Sequence, residues 1–341
     1  MTSRSCLCIL FGMKIIRADI LGFCAGVRRA VEAAVAALED AESKKTEKGN
    51  VYTLGPLIHN PVALKELADR KLRILDADGI ASLTEYDTVL IRAHGIPPLL
   101  YRALCETGCA VINATCPLVT RNQRRAAELS SEGYTIIFAG DANHGETVGI
   151  QGFAEEAAKN AENDKGEKAV FLLVKTAEEA EKLFGTENES AAEDISTRRC
   201  DGRKAVLLSQ TTFSVKEFES IRAALKRKLP QIEVFNTICP ATHERQSALV
   251  SLCARVDAVI VIGGKNSSNT NRLYATAKRL CANERAALIE TPEEVDSLPE
   301  SFFTVSTLGL TAGASTPDSV IDAVERKLFE RAEKSLASIQ P

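Results

Sequence analysis

Asn113-Ala114-Thr115-Cys116-Pro117 is answered 123 residues later by Asn236-Thr237-Ile238-Cys239-Pro240. Each pentapeptide closes a short β-branched run and opens an amphipathic stretch, so each cysteine falls at a strand–helix junction. The likeness continues at constant spacing. Gly140-Asp141-Ala142-Asn143-His144-Gly145-Glu146-Thr147 begins 24 residues beyond Cys116, and Gly263-Gly264-Lys265-Asn266-Ser267-Ser268-Asn269-Thr270 begins 24 beyond Cys239. A repeated unit that sets one cysteine and one polar loop in the same place points to cysteines converging on a shared centre. Metal binding is the chemistry that such convergence serves.

A third, looser copy precedes these two. Cys24, in Leu21-Gly22-Phe23-Cys24-Ala25-Gly26, also ends a strand-like run and opens a helix. His59 stands four residues past Gly55, as His144 does past Gly140, and Ser267 takes that place in the last copy. Cys24 to Cys116 spans 92 residues and Cys116 to Cys239 spans 123; the 31 extra fall most simply in 155–204, whose polar parts read as expanded surface loops.

Alternation of β-branched runs with amphipathic helices argues for α/β units with mainly parallel sheets. Strands are expected at Ile15–Ile20, Val51–Leu54, Thr88–Ile91, Val111–Asn113, Thr135–Ala139, Ala169–Val174, Ala205–Leu208, Ile232–Phe235, Ala258–Ile262 and Phe302–Ser306. The predicted organisation is an extension at 1–12 and a first strand with its loop at 13–24, joined to the third module. Modules follow at 25–117, 118–236 (enlarged at 155–204) and 237–322, then a helix and tail at 323–341. Grouped strand by strand, Val111–Asn113 reads with Thr135–Ala139 as part of the second module, although the bounds 25–117 take it in. Residues 1–12 read as a dispensable extension, or as an upstream start with Met13 as the usual one.

At 341 residues the chain exceeds one small core. A 45% hydrophobic and 26% charged composition suits a globular protein, and a net charge of −4 leaves no footprint for nucleic acid. No apolar run approaches the roughly 20 residues of a membrane span, so a cytoplasmic location is expected. Ten cysteines spread over so long a chain read as reduced thiols. Packing accounts for Cys105, Cys109, Cys253 and Cys281; Cys6 and Cys8 lie in the extension and Cys200 in a probable loop.

In parallel α/β sheets ligands gather beyond the carboxyl ends of the strands, where the polar loops of this chain fall. Three thiolates hold either zinc or an iron–sulfur cluster. The lack of a Cys-x-x-Cys pair weakens structural zinc, and single cysteines from separate modules better suit a cluster at a junction. A cube has four irons to ligate, so three cysteines leave one open to substrate. A zinc or redox-sensing binder without turnover is the alternative. His59, His94 and His144 sit at equivalent strand ends. The Ser267-Ser268-Asn269 segment offers donors at a helix start, for an anion or for plain capping. Glu146 serves as a proton donor if burial raises its pKa; a solvated loop carboxylate is the alternative. Ser209-Gln210-Thr211-Thr212 and Ala314-Ser315-Thr316 add hydroxyls. Walker, Rossmann and Gly-x-Ser-x-Gly motifs are absent.

Six motifs in order carry a family likeness: Leu21-Gly22-Phe23-Cys24-Ala25-Gly26-Val27, Arg92-Ala93-His94-Gly95, Ala114-Thr115-Cys116-Pro117, Ser209-Gln210-Thr211-Thr212, Asn266-Ser267-Ser268-Asn269 and Thr311-Ala312-Gly313-Ala314-Ser315. From about Met13 to Arg326 the chain resembles the 4-hydroxy-3-methylbut-2-enyl diphosphate reductase (LytB) family, which completes the non-mevalonate isoprenoid pathway. The resemblance implies an oxidoreductase with three α/β modules in a cloverleaf around one 4Fe–4S cluster per chain. Cys24, Cys116 and Cys239 would hold that cluster and leave one iron open. It also implies an allylic diphosphate substrate gripped by His59, His94, His144, Ser267, Ser268, Asn269 and Ser315. Thr211 would lie near the substrate hydroxyl, Glu146 would deliver protons, and an external ferredoxin or flavodoxin would bring electrons. One departure stands inside a motif loop: Gly145 occupies a place where the family commonly has proline.

Overall fold

The computed structural model describes residues 13–43, 49–161, 170–183, 204–281 and 285–337. Two compact units are formed. One comprises Met1–Arg28, Ile58–Asp69 and Ala241–Pro341, the other Arg29–Leu57 and Arg70–Pro240. The described strands are β1 (Lys14–Arg17), β2 (Val51–Leu54), β3 (Arg73–Leu75), β4 (Thr88–Ile91), β5 (Ala110–Asn113), β6 (Thr135–Ala139), β7 (Val170–Val174), β8 (Ala205–Ser209), β9 (Glu233–Val234), β10 (Ala258–Ile262), β11 (Ala286–Ile289) and β12 (Thr307–Ala312). The helices are α1 (Ala25–Ser43), α2 (Pro61–Asp69), α3 (Pro98–Glu106), α4 (Pro117–Ser131), α5 (Gly145–Asn160), α6 (Ala177–Lys182), α7 (Val215–Lys228), α8 (Pro240–Cys253), α9 (Ser268–Leu280) and α10 (Asp318–Ala337).

The strands make three four-stranded sheets in which every described pairing is parallel. Their orders are β3-β2-β4-β5, β7-β6-β8-β9 and β11-β10-β12-β1. The same order thus recurs three times, and the third sheet is completed by the strand nearest the N-terminus. The edge strand that precedes a cysteine is β5, β9 and β1 in turn. This corrects one expectation: Val111–Asn113 pairs with β4 in the first sheet and does not open the second.

Strands buried on both faces explain the near-continuous apolar runs. In β10 the side chains of Ala258, Ile260 and Ile262 join one core cluster, and Val259 and Val261 join the other. In β6 Ile137 and Ala139 face one cluster, while Ile136 and Phe138 face the second. Full burial of a side chain such as Phe138 is worth about 1.5–3 kcal/mol.

The last strand is misplaced by sequence reasoning. Phe302 and Phe303 are buried at a short 3₁₀ turn, and the strand runs instead over Thr307–Ala312. Gly309 in its middle disguises it. A Cβ there would stand 3.0 Å from Leu252 and Val256 side chains, so the glycine marks a close approach. β1 is likewise shorter than expected, and the short edge strands β3 and β11 were not anticipated. Much of 155–204 lies outside the described residues, as do the extension 1–12 and the tail beyond Ala337; within that segment β7 and α6 are regular.

Candidate active site

The three cysteine loops share one backbone construction. The Cys116 N–H donates to the Ala93 carbonyl (2.9 Å), that of Cys239 to Thr211 (2.9 Å), and that of Cys24 to Ala314 (3.2 Å). Each acceptor follows the strand next to the cysteine's own: β4, β8 and β12. Asn113 Oδ1 accepts from Thr115 N–H at 3.0 Å, and Asn236 Oδ1 from Ile238 N–H at 3.1 Å, so the repeated asparagine fixes the same turn twice. Each cysteine precedes a helix, α4, α8 or α1, and each is outside any disulfide and half-buried. Cys24 Sγ accepts from Val27 N–H at 3.4 Å.

The polar loops repeat equally well. After β2, β6 and β10 the N–H of Gly55, Gly140 and Gly263 donates to the carbonyl that ends the neighbouring strand: Leu75, Val174 and Ile289. His144 caps α5 and Ser267 caps α9 at matching places. His144 Nδ1 accepts from Glu146 N–H at 3.2 Å, and Ser267 Oγ accepts from Thr270 N–H at 3.3 Å.

Within the unit built on Arg29–Leu57 and Arg70–Pro240, Cys116, Cys239, His94, His144, Glu146 and Thr211 all occur. Glu146 is wholly buried. One carboxylate oxygen accepts from Thr211 N–H (2.8 Å) and the other from Thr211 Oγ (2.6 Å). Burial pushes its pKa up to about 7, against the lowering effect of the two Thr211 hydrogen bonds. A raised carboxylate stays protonated until the pH approaches its folded value, so Glu146 can hold a proton near neutrality. The rings of His94 and His144 meet edge to face, centroids 4.8 Å apart. A groove of about 560 Å³ beside α3 and α5, lined by Pro98, Leu99, Arg102, Val148 and Glu155 among others, contains none of the candidate residues.

The other unit holds Cys24, His59, Ser267, Ser268, Asn269 and Ser315. Ser315 Oγ donates to the His59 carbonyl at 3.2 Å. Gly264 packs on that same carbonyl group, where a Cβ would lie 2.9 Å from its carbon. The His59, Gly264 and Ser315 loops therefore meet beside the Ala314 carbonyl that receives the Cys24 amide. Asn269 is buried, and its side-chain Nδ2 has no hydrogen-bond partner among the described residues. A buried amide donor left unmatched costs about 1–3 kcal/mol, a cost that a bound acceptor removes. Lys265 is exposed and paired with Glu294 at 2.9 Å, and His243 is exposed on α8. Of the four cysteines expected to be packed, Cys105 is exposed; Cys109 is buried, and Cys253 and Cys281 pack against one core cluster.

Two clamps escaped sequence reasoning. Arg29, five residues past Cys24, donates to the carbonyls of Thr115 and Ala114 ahead of Cys116. Arg245, six past Cys239, donates to Gly22 O at 2.7 Å ahead of Cys24 and to Ala241 O at 2.9 Å. The signal for Arg245 was its position: it lies in the buried stripe of α8 with Thr242, Ala248, Leu249 and Leu252. A charge in such a stripe needs a partner.

The sequence pattern of the LytB protein family matches residues 15–329. A Treponema denticola protein named 4-hydroxy-3-methylbut-2-enyl diphosphate reductase is 42% identical over 320 residues, covering 93% of this chain and 100% of that one. An Aquifex aeolicus protein of the same name is 38% identical over 326 residues, covering 96% and 99%. A solved structure of (E)-4-hydroxy-3-methyl-but-2-enyl diphosphate reductase, the terminal enzyme of the non-mevalonate pathway, is 35% identical with a TM-score of 0.60, covering 93% and 99%. The Plasmodium falciparum E-1-hydroxy-2-methyl-but-2-enyl-4-diphosphate reductase superposes with a TM-score of 0.75 at 26% identity, covering 92% and 87%.

Proposed function

The chain belongs to the LytB protein family, and from that premise we propose that it is an oxidoreductase acting on 4-hydroxy-3-methylbut-2-enyl diphosphate. It removes the allylic hydroxyl as water with two electrons and two protons. The products are isopentenyl and dimethylallyl diphosphate, at the end of the non-mevalonate isoprenoid pathway.

The equivalence of the three cysteine loops carries the reading. Soft sulfur donors, each half-buried at a helix start, suit an iron–sulfur cluster. We assign Cys24, Cys116 and Cys239 as the ligands of one 4Fe–4S cluster per chain, with one iron left without a protein ligand. When bound, such a cluster supplies electrons and a Lewis-acidic iron.

The chain's own residues do the rest. Glu146 holds the proton, and its burial keeps that proton in place near neutral pH. Thr211 fixes the orientation of both carboxylate oxygens and its carbonyl accepts from the Cys239 amide, contacts that support a role for it near the substrate hydroxyl. His59, His94, His144, Ser267, Ser268, Asn269 and Ser315 bind the diphosphate with imidazole, hydroxyl and amide donors. Such donors are strongest where water is excluded. An external ferredoxin or flavodoxin brings the electrons, because the sequence carries no flavin or nicotinamide motif. A cytoplasmic location belongs to the same proposal, since the site must keep three cysteines as thiols.

An anaerobic assay with the diphosphate substrate and an artificial one-electron donor tests the reading. Formation of the two isomeric products is expected. Stoichiometric zinc, no visible absorption and no turnover would replace the reductase with a thiolate zinc protein.

A further inference from the structure

Arg92 follows β4, two residues before His94, and it is a cation without a counter-ion among the described residues. Its side chain forms no hydrogen bond or ion pair among the described residues, and its Nε is enclosed with no partner. Burial alone acts on the guanidinium, lowering its pKa from the usual arginine value. Glu146, the acid nearest in sequence to the loop it touches, directs both oxygens to Thr211 instead.

Two glycines make the seat. A Cβ on Gly145 would lie 2.9 Å from Arg92 Cζ and closer still to Nη2, and one on Gly55 would lie 3.0 Å from Nη1. The guanidinium therefore lies against both backbones. Gly145 opens α5, whose capping residue His144 meets His94 edge to face. A guanidinium, two imidazoles and the positive end of a helix are gathered, and the carboxylate in the first turn of that helix, Glu146, is bonded to Thr211. Enclosing an unpaired cation in such company is costly, and an anion relieves the cost.

We propose that Arg92 is a further binding residue for the diphosphate of the substrate, a permanently charged donor close to His94 and His144. The inference rests on the reading of the site as a diphosphate pocket. Arginine suits the task because its planar fork donates two parallel hydrogen bonds to phosphate oxygens. The glycine at 145 acquires a reason as well: any side chain there would displace the guanidinium from its seat.

The test uses anaerobically purified holoprotein, with inorganic diphosphate as the probe, by direct calorimetric binding and by inhibition of turnover. Arg92→Gln is expected to raise KM for the substrate and Kd for inorganic diphosphate by about tenfold or more. Turnover at saturation should stay within about threefold, with iron content unchanged. Arg92→Lys should recover part of the binding. Gly145→Ala should weaken binding in the wild-type background and add little to Arg92→Gln, because both act on the same group. In the absence of ligand the Tm of Arg92→Gln should equal or exceed that of the wild type, since an unpaired buried charge is removed. Unchanged KM and Kd in Arg92→Gln, or a fall in Tm with binding intact, would overturn the proposal. Inorganic diphosphate binding that depends on Arg92 in a protein without reductase turnover would remove the reductase reading and leave the anion site standing. Full turnover indifferent to Arg92 would do the reverse.

Discussion

The loop after β6 and the loop after β10 occupy the same place in two copies of one fold and carry different side-chain chemistry. Both begin with a glycine bonded to the next strand's last carbonyl, and four residues on both cap a helix, with His144 in one and Ser267 in the other. Two residues further, both bury a polar side chain: Glu146 is fully enclosed and Asn269 is 5% exposed. The scaffold thus fixes a buried polar position at the second residue of the helix, and side-chain identity decides its chemistry. The carboxyl group finds Thr211 and keeps a proton up to about pH 7. The amide is uncharged and carries an unmatched donor. One copy is equipped to give a proton, the other to receive an acceptor such as a phosphate oxygen.

Making the first copy resemble the second should have the largest effect. Glu146→Gln is expected to lower turnover by about 10²–10⁴ with iron content intact. In the wild type, the rate should fall as pH rises through about 7, where Glu146 ionises. The residual rate of Glu146→Gln should lack that limb, and a variant that keeps it would detach Glu146 from the proton step. Stability gives an independent reading. The folded pKa is raised, so the stabilising effect of the neutral carboxyl is complete below about 4.5 and lost as pH rises through about 7. The difference approaches roughly 3 kcal/mol. Thermal unfolding of Glu146→Gln should therefore exceed the wild type at pH 8, with the gap closing near pH 4.5.

The reverse exchange, Asn269→Asp, sets a negative charge where the diphosphate is proposed to bind. KM should rise on the order of tenfold or more, with a smaller change in kcat. An unchanged KM would place the phosphates elsewhere. The smallest effect belongs to the shared cap. Ser267→Ala should lower stability by about 1 kcal/mol through loss of the α9 cap. If Tm does not move, the hydroxyl serves substrate alone.

The repeat was legible because backbone function is written locally: a turn asparagine, a cysteine, a proline, and a glycine four residues before a cap. Contacts between distant segments were not. The partners of Glu146 lie 65 residues away in the chain, and only register across β6 and β8 brings them together. The arginine clamps Arg29 and Arg245 look like ordinary surface charge until helix packing turns them onto carbonyls. β12 was misread for a physical reason, since Phe302 and Phe303 carry more apolar character than the glycine-containing strand that follows. Arg92 belongs to the Arg92-Ala93-His94-Gly95 motif, but the space its guanidinium lies in is made by two glycines of other loops.

The proposed chemistry requires Cys24, Cys116 and Cys239 to be equivalent ligands of one cluster. Iron and sulfide should be determined in anaerobically purified protein and in Cys24→Ser, Cys116→Ser and Cys239→Ser, with Cys105→Ser as the control. About four irons and four sulfides per chain are expected in the wild type and the control, with marked loss in each of the three variants. A full, stable cluster in any one of the three would contradict the equivalence of the three loops.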